Sequence, residues 1–157
     1  MGKSLESWAA IYDDIYRDLT EDIPFYLRLL SDDPSISVLE IGCGTGVDLR
    51  KFDDSFEIHG VDLNEHALEL AKKNIPKGTF HKDSITKLPF DDSSIDFVFT
   101  HKLLYYLDDQ TLENGVSEMF RVTKRYIVNC ELFGEDAVSY THLRAHETEA
   151  DLVCRLL

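Results

Sequence analysis

Residues 38–52 read VLEIGCGTGVDLRKF, and how this stretch turns decides the fold. Val38, Leu39 and Ile41 make a short apolar strand that runs straight into Gly42, Gly44 and Gly46. Glycine is needed where a backbone turns tightly and where a ligand approaches without a Cβ in its way. A strand feeding such a strand-to-helix turn is the opening unit of a parallel α/β sheet. The loop then lies at the sheet's carboxyl edge, where these sheets take nucleotide-type ligands.

Outward from this loop the chain repeats the same alternation. β-Branched and aromatic runs at SISVLEI (35–41), FEIHGVD (56–62), IDFVFT (95–100) and RYIVNCEL (125–132), with a weaker one at GTFHKD (78–83), predict five strands. Between them, NEHALELAKKN opens on Asn64 as an N-cap and lines Ala67, Leu68 and Ala71 along one face. DDQTLENGVSEMFRVT (108–123) places Leu112, Val116, Met119 and Phe120 at helical spacing. Strands separated by helices imply βαβ crossovers, hence an α/β, doubly wound, Rossmann-like, mostly parallel sheet with helices on both faces. Residues 1–34 read as an N-terminal helical cap and residues 35–137 as one ligand-binding core.

Composition excludes several functions. A chain of 157 residues is one domain's worth, long enough to bury a core without disulfides or a structural metal. With a formal net charge of -14 and no basic stripe it lacks what displaces counterions from nucleic acid, so DNA, RNA and anionic membranes are disfavoured partners. No apolar run approaches a membrane span, and charge interrupts MGKSLESWAAIYDDIYRD before a signal sequence can form, so a cytoplasmic location is expected. Cys43, Cys130 and Cys154 show no CxxC pairing, which predicts reduced thiols and no metal.

Charge then selects the ligand. A dinucleotide fingerprint wants G-x-G-x-x-G, but the position three after Gly44 is Val47, and the spacing is G-x-G-x-G. Glu40, two residues before the first glycine, would repel a pyrophosphate and attract a cation. The ammonium of S-adenosyl-L-methionine meets that requirement, and this cofactor carries no phosphate. Asp62, ending the second strand, is placed to accept both ribose hydroxyls, with Leu63 beside it as an apolar wall for adenine. Asp62 alone would suit a nicotinamide dinucleotide as well. Asp83 and Ser84 close the third strand, where a carboxylate could accept from the adenine amino group.

Taken together, VLEIGCGTG, GVDLNEHALELAKKN and FHKDSITKLPFDDSSIDFVFTHKLLYYL resemble the run of motifs in class I S-adenosylmethionine-dependent methyltransferases, over about residues 36–132. Within that group, Ile95 to Phe133 is similar to the methylases associated with pseudaminic acid biosynthesis. The resemblance implies Glu40 on the methionine end, Asp62 on the ribose, and Asp83 with Ser84 on the adenine. It also implies a small-molecule methyl acceptor. His101, just after the fourth strand, stands among the cofactor-lining candidates; it could equally be a surface histidine, or could deprotonate an acceptor. Methyl transfer needs little beyond in-line placement, so no catalytic residue is singled out. A non-catalytic binding module and a nicotinamide-dependent oxidoreductase are the alternatives.

Other residues read more simply. His59 and His81 fall within strand patterns as packed or edge residues, Cys43 is a small residue of the glycine loop, and the run from Asp91 to Ser94 is a polar turn. Tyr12 and Tyr16 could belong to a lid, and Tyr105 and Tyr106 could shape the pocket or pack. The ending VSYTHLRAHETEADLVCRLL (138–157) places His142 and His146 at helical spacing beside Glu147, an apparent metal site. It resembles instead a translated sequencing-library adapter, VSYTHLRAHET matching one segment and LVCRLL the segment beyond the barcode. That tail is therefore expected to be non-native and the core C-terminally truncated. The last two strands of the resembled fold would be missing, and the fifth strand would be left as an open edge.

Overall fold

The computed structural model describes residues 26–28, 30 and 35–130, and the backbone of residues 152–155. Among the described residues, six strands form one sheet: β1 (Ser37–Ile41), β2 (Glu57–Asp62), β3 (Thr79–Lys82), β4 (Ile95–His101), β5 (Thr123–Cys130) and β6 (Leu152–Arg155). Their order is β3-β2-β1-β4-β5-β6. The first five are parallel, as the alternation of strands and helices predicts.

Among the described residues, two helices of ten or more residues cover the sheet. The first, α1 (Glu65–Asn74), is capped by Asn64, whose side chain accepts from the Ala67 N–H. The second, α2 (Asp109–Val122), is capped by Asp108, which accepts from Thr111. Side chains alternate across each strand. Val38, Phe97, Phe99 and Val128 accordingly pack on one face with Leu68 and Ala71 of α1. Leu39, Ile41, Val98 and Ile127 pack on the other with Leu112, Met119 and Val122 of α2. The doubly wound arrangement expected from the sequence is present. On the α1 face Phe97 and Phe99 stack at 5.4 Å, each fully buried, and Tyr26 leans on both.

Boundaries differ where local chemistry competes with pattern. β5 begins two residues earlier than its β-branched run. The strand-to-helix turn after β1 leads only into a 3-10 turn, Leu49–Lys51. Asp53 ends it by accepting from the Ser55 N–H at 2.8 Å, a side-chain turn that competes with helix. Of the N-terminal cap, Tyr26–Arg28 is helical; Tyr12 and Tyr16 lie outside the described residues, as do His142, His146 and Glu147.

One expectation is corrected. The outer edge of β5 is not open: Leu152–Arg155 pairs with it antiparallel, Tyr126 opposite Arg155 and Asn129 opposite Leu152. An edge strand offers a row of unsatisfied N–H and C=O groups, and a β-prone Leu-Val-Cys segment satisfies them. Four residues of the tail expected to be non-native therefore belong to the sheet.

Candidate functional site

Strand order reverses between β1 and β4. From β1 the chain winds outward through β2 and β3, and from β4 outward through β5. Loops leaving the carboxyl ends of two such neighbours diverge and open a crevice. Ile41 is paired with Thr100, so Gly42 and His101 leave the sheet side by side at that crevice.

The glycine loop is held from β2. Gly42 and Cys43 both donate to the Val61 carbonyl, at 2.7 and 3.1 Å; Gly46 donates to Cys43 at 2.8 Å; and Gly44 donates to Asp62 Oδ2 at 2.8 Å. These amides are consumed within the fold. A phosphate cradle instead points its backbone N–H groups at the ligand. The three glycines all have positive φ, but for different reasons. A Cβ on Gly42 would meet Leu103 at 2.9 Å and one on Gly46 would meet Ile75 at 3.0 Å, whereas one on Gly44 would meet nothing within 4 Å. Gly44 is the glycine that faces open space.

Behind the loop, Glu40 is 3% exposed and its Oε2 has no hydrogen-bond partner among the described residues. Burial pushes its carboxyl well above the usual carboxylate range, and the charges of Asp48 and Asp62 push it further. A buried carboxylate in this position is costly unless a cation or a donor answers it. Cys43 beside it is buried, and burial together with Glu40 and Asp62 raises its thiol; it is an inert packing residue, as read from the sequence.

Asp62 has two fixed partners, Gly44 N–H on Oδ2 and Asn64 N–H at 2.8 Å on Oδ1. A carboxylate has about four acceptor positions, so each oxygen keeps one for a ligand hydroxyl. Leu63 follows with 69% of its surface exposed, an apolar side chain in water at the crevice rim. Asp83 and Ser84 leave β3 half-buried; the Ser84 hydroxyl is paired with that of Thr86 at 2.9 Å and accepts from the Thr86 N–H. The sheet thus brings Glu40, the glycines, Asp62, Leu63, Asp83 and Ser84 to one edge.

His101 is not a surface histidine. Its Nδ1 lies 2.5 Å from Asp48 Oδ2, and both side chains are nearly buried, at 13% and 11% exposure. Sequence reading missed Asp48, because in VDLRKF an acid reads as the polar face of a short helix. Only the packing of β4 against the glycine loop reveals it.

His59 and His81 are packing residues as expected, each edge-on to Phe90 at 5.3 and 5.4 Å. A shallow depression of about 290 Å³ near Ser37, Glu57 and Phe90 opens at the opposite, amino end of the strands and contains none of the expected site residues. Among the described residues no group of three or more His, Cys, Asp or Glu could hold a metal, and no helix is long and apolar enough to cross a membrane.

The family model described as a methyltransferase domain matches residues 38–126, more than half of the chain. The chain belongs to the methyltransferase-domain family. Among its relatives, a methyltransferase of Schizosaccharomyces pombe is 34% identical over 101 residues, covering 55% of this chain and 36% of that protein. The demethylmenaquinone methyltransferase of Beutenbergia cavernae is 30% identical over 129 residues, covering 74% of this chain and 53% of that protein. This methyltransferase domain therefore spans only a third to a half of those relatives. A SAM-dependent methyltransferase from Aquifex aeolicus has the same fold, with TM-score 0.63 and 21% identity over 81% of this chain and 71% of its own.

Proposed function

We propose that this methyltransferase domain binds S-adenosyl-L-methionine along the edge from Glu40 to Ser84 and transfers its methyl group to a small-molecule acceptor. One observation carries the reading: buried Glu40, two residues before the glycine loop, has an orphaned Oε2. Glu40 would take the ammonium of the methionine end. Asp62 would accept from the ribose hydroxyls through its two remaining acceptor positions, Leu63 would cover one face of the adenine, and Asp83 with Ser84 would meet its amino edge. Consumption of the loop amides by Val61, Cys43 and Asp62 supports a cofactor without phosphate over a nicotinamide dinucleotide.

The cofactor supplies an activated methyl group on a sulfonium. The protein's part is to hold that group in line with the acceptor and to exclude water from the crevice. The names of relatives support a small acceptor, since they include a phosphoethanolamine N-methyltransferase of Caenorhabditis elegans and a sterol 24-C-methyltransferase of Schizosaccharomyces pombe. A cytoplasmic location fits such a substrate. A nearer kinship to the pseudaminic acid-associated methylases rests on Ile95 to Phe133 and is tested by offering nonulosonic sugars as acceptors. Incubating the chain with methyl-labelled S-adenosylmethionine and fractionated metabolites tests the activity. Cofactor binding without any labelled product would leave a binding module in its place.

The division into a cap at 1–34, a core at 35–137 and an adapter-derived tail at 138–157 is likewise our reading, supported by the match of the tail to adapter codons. Sequencing the source locus past codon 137 decides it: the same frame continuing as written would show the tail to be native.

A further inference from the structure

We propose that Asp48 and His101 act as a pair in which Asp48 fixes the imidazole so that its Nε2 takes a proton from the methyl acceptor. This rests on the methyl-transfer reading and deepens it, because it requires an acceptor whose attacking atom carries a removable proton, a hydroxyl or an N–H.

The geometry comes from two elements. Asp48 stands at the end of the glycine loop, His101 ends β4 53 residues later, and the two meet in a nearly dry contact at the crevice where strand order reverses. A ring nitrogen that faces a carboxylate carries the hydrogen, so Nδ1 donates to Asp48 and the lone pair of the neutral ring is left on Nε2. The backbone supports the placement. Lys102 has φ of 55°, a left-handed conformation unfavourable for a residue that carries a side chain, and its N–H is tied to the Cys130 carbonyl at 2.7 Å. Strain of this kind persists where the surroundings over-determine it, and it commonly marks a functional site. Here it swings the chain away directly after His101 and lays Leu103 against Gly42.

The step balances. The proton of the acceptor's O–H or N–H moves to Nε2 as the bond from oxygen or nitrogen to the methyl carbon forms and the methyl–sulfur electron pair leaves with sulfur. The positive charge lost at the sulfonium reappears on the imidazolium, which the Asp48 carboxylate stabilises. His101 is then the catalytic residue and Asp48 a positioning residue. An acceptor without such a proton, a thioether or a tertiary amine, would have no use for the pair.

The test combines imidazole nitrogen chemical shifts with label transfer in the full chain and in the variants His101→Gln and Asp48→Asn. The neutral wild-type ring should carry its proton on Nδ1, and Asp48→Asn should move it to Nε2. Label transfer to the metabolite pool should fall by roughly 10²- to 10⁴-fold in both variants, with S-adenosylhomocysteine affinity retained. A wild-type proton on Nε2, undiminished label transfer in His101→Gln, or loss of S-adenosylhomocysteine binding in that variant would overturn the role. Wild-type protein that binds no S-adenosylhomocysteine would overturn the underlying methyl-transfer reading instead. Binding without any transferred label would end the proton-acceptor role along with turnover.

Discussion

Asp62 Oδ2 accepts the Gly44 N–H at 2.8 Å, so the last carboxylate of β2 also sets the open face of the glycine loop. Loop shape and the proposed ribose site are therefore one feature. Asp62→Ala should weaken S-adenosylhomocysteine binding by roughly 10- to 150-fold, the equivalent of about 1.5–3 kcal/mol for hydrogen bonds to a charged group. Calorimetric titration measures it. Affinity within a factor of two of wild type would remove Asp62 from the site.

Glu40 gives the opposite pairing of stability and function. Burial, then Asp48 and Asp62, raise its folded-state pKa above its unfolded value. The folded chain thus holds a proton that the unfolded chain releases, and stability falls as pH rises from about the unfolded value of 4.5 toward the folded one. Glu40→Gln removes that penalty and should raise ligand-free stability at neutral pH by roughly 0.5–2 kcal/mol, while S-adenosylhomocysteine binding is lost. Urea unfolding at acid and neutral pH checks the sign. A variant less stable than wild type at neutral pH would contradict the account.

Asp96 has the reverse sign. Burial would raise its pKa, but the N–H and hydroxyl of Ser37 and the ammonium of Lys124 hold it below the ordinary value of 3.8. Its contribution is present above 3.8 and is lost as pH falls through the lower folded value. Asp96→Asn should flatten the loss of stability in that acid window, read as urea midpoint against pH. An unchanged slope would show that the Ser37 contacts carry no linkage.

The glycines separate packing from binding. Gly44→Ala meets open space, so its stability cost is the left-handed conformation alone, about 1–2 kcal/mol, and its main effect should be lost cofactor affinity. Gly42→Ala adds a clash with Leu103 and should destabilise further. Thermal unfolding of the two side by side would refute this ordering if Gly44→Ala proved the less stable.

Arg121 is a structural clamp. From α2 it donates to Glu118, to the Phe90 and Leu88 carbonyls and to Asp92, holding the LPFDD loop against the helix. Arg121→Ala should cost about 1–3 kcal/mol with cofactor affinity little changed. A larger fall in affinity than in stability would place the clamp in the site.

What the sequence made legible was whatever is local. The five parallel strands, the Asn64 cap and the acidic strand ends of β1, β2 and β3 follow from periodicity and from residues adjacent in the chain. Pairings across the chain were not legible: Asp48 with His101 spans 53 residues, and Arg121 reaches back to Leu88. The glycines could be located from sequence but not told apart, because the atoms a Cβ would strike belong to Leu103 and Ile75, set by tertiary packing. Pairing of Leu152–Arg155 with β5 was invisible for a different reason, since any β-prone segment can satisfy an open edge whatever its origin.

The central claim is that this edge takes a phosphate-free nucleoside that carries an ammonium group. Parallel calorimetric titrations of the chain with S-adenosylhomocysteine and with NAD test it most directly, with Glu40→Gln as control. Heat of saturable binding with S-adenosylhomocysteine, none with NAD, and loss of the signal in Glu40→Gln is the expected result. Binding of NAD, or S-adenosylhomocysteine affinity indifferent to Glu40, would contradict it.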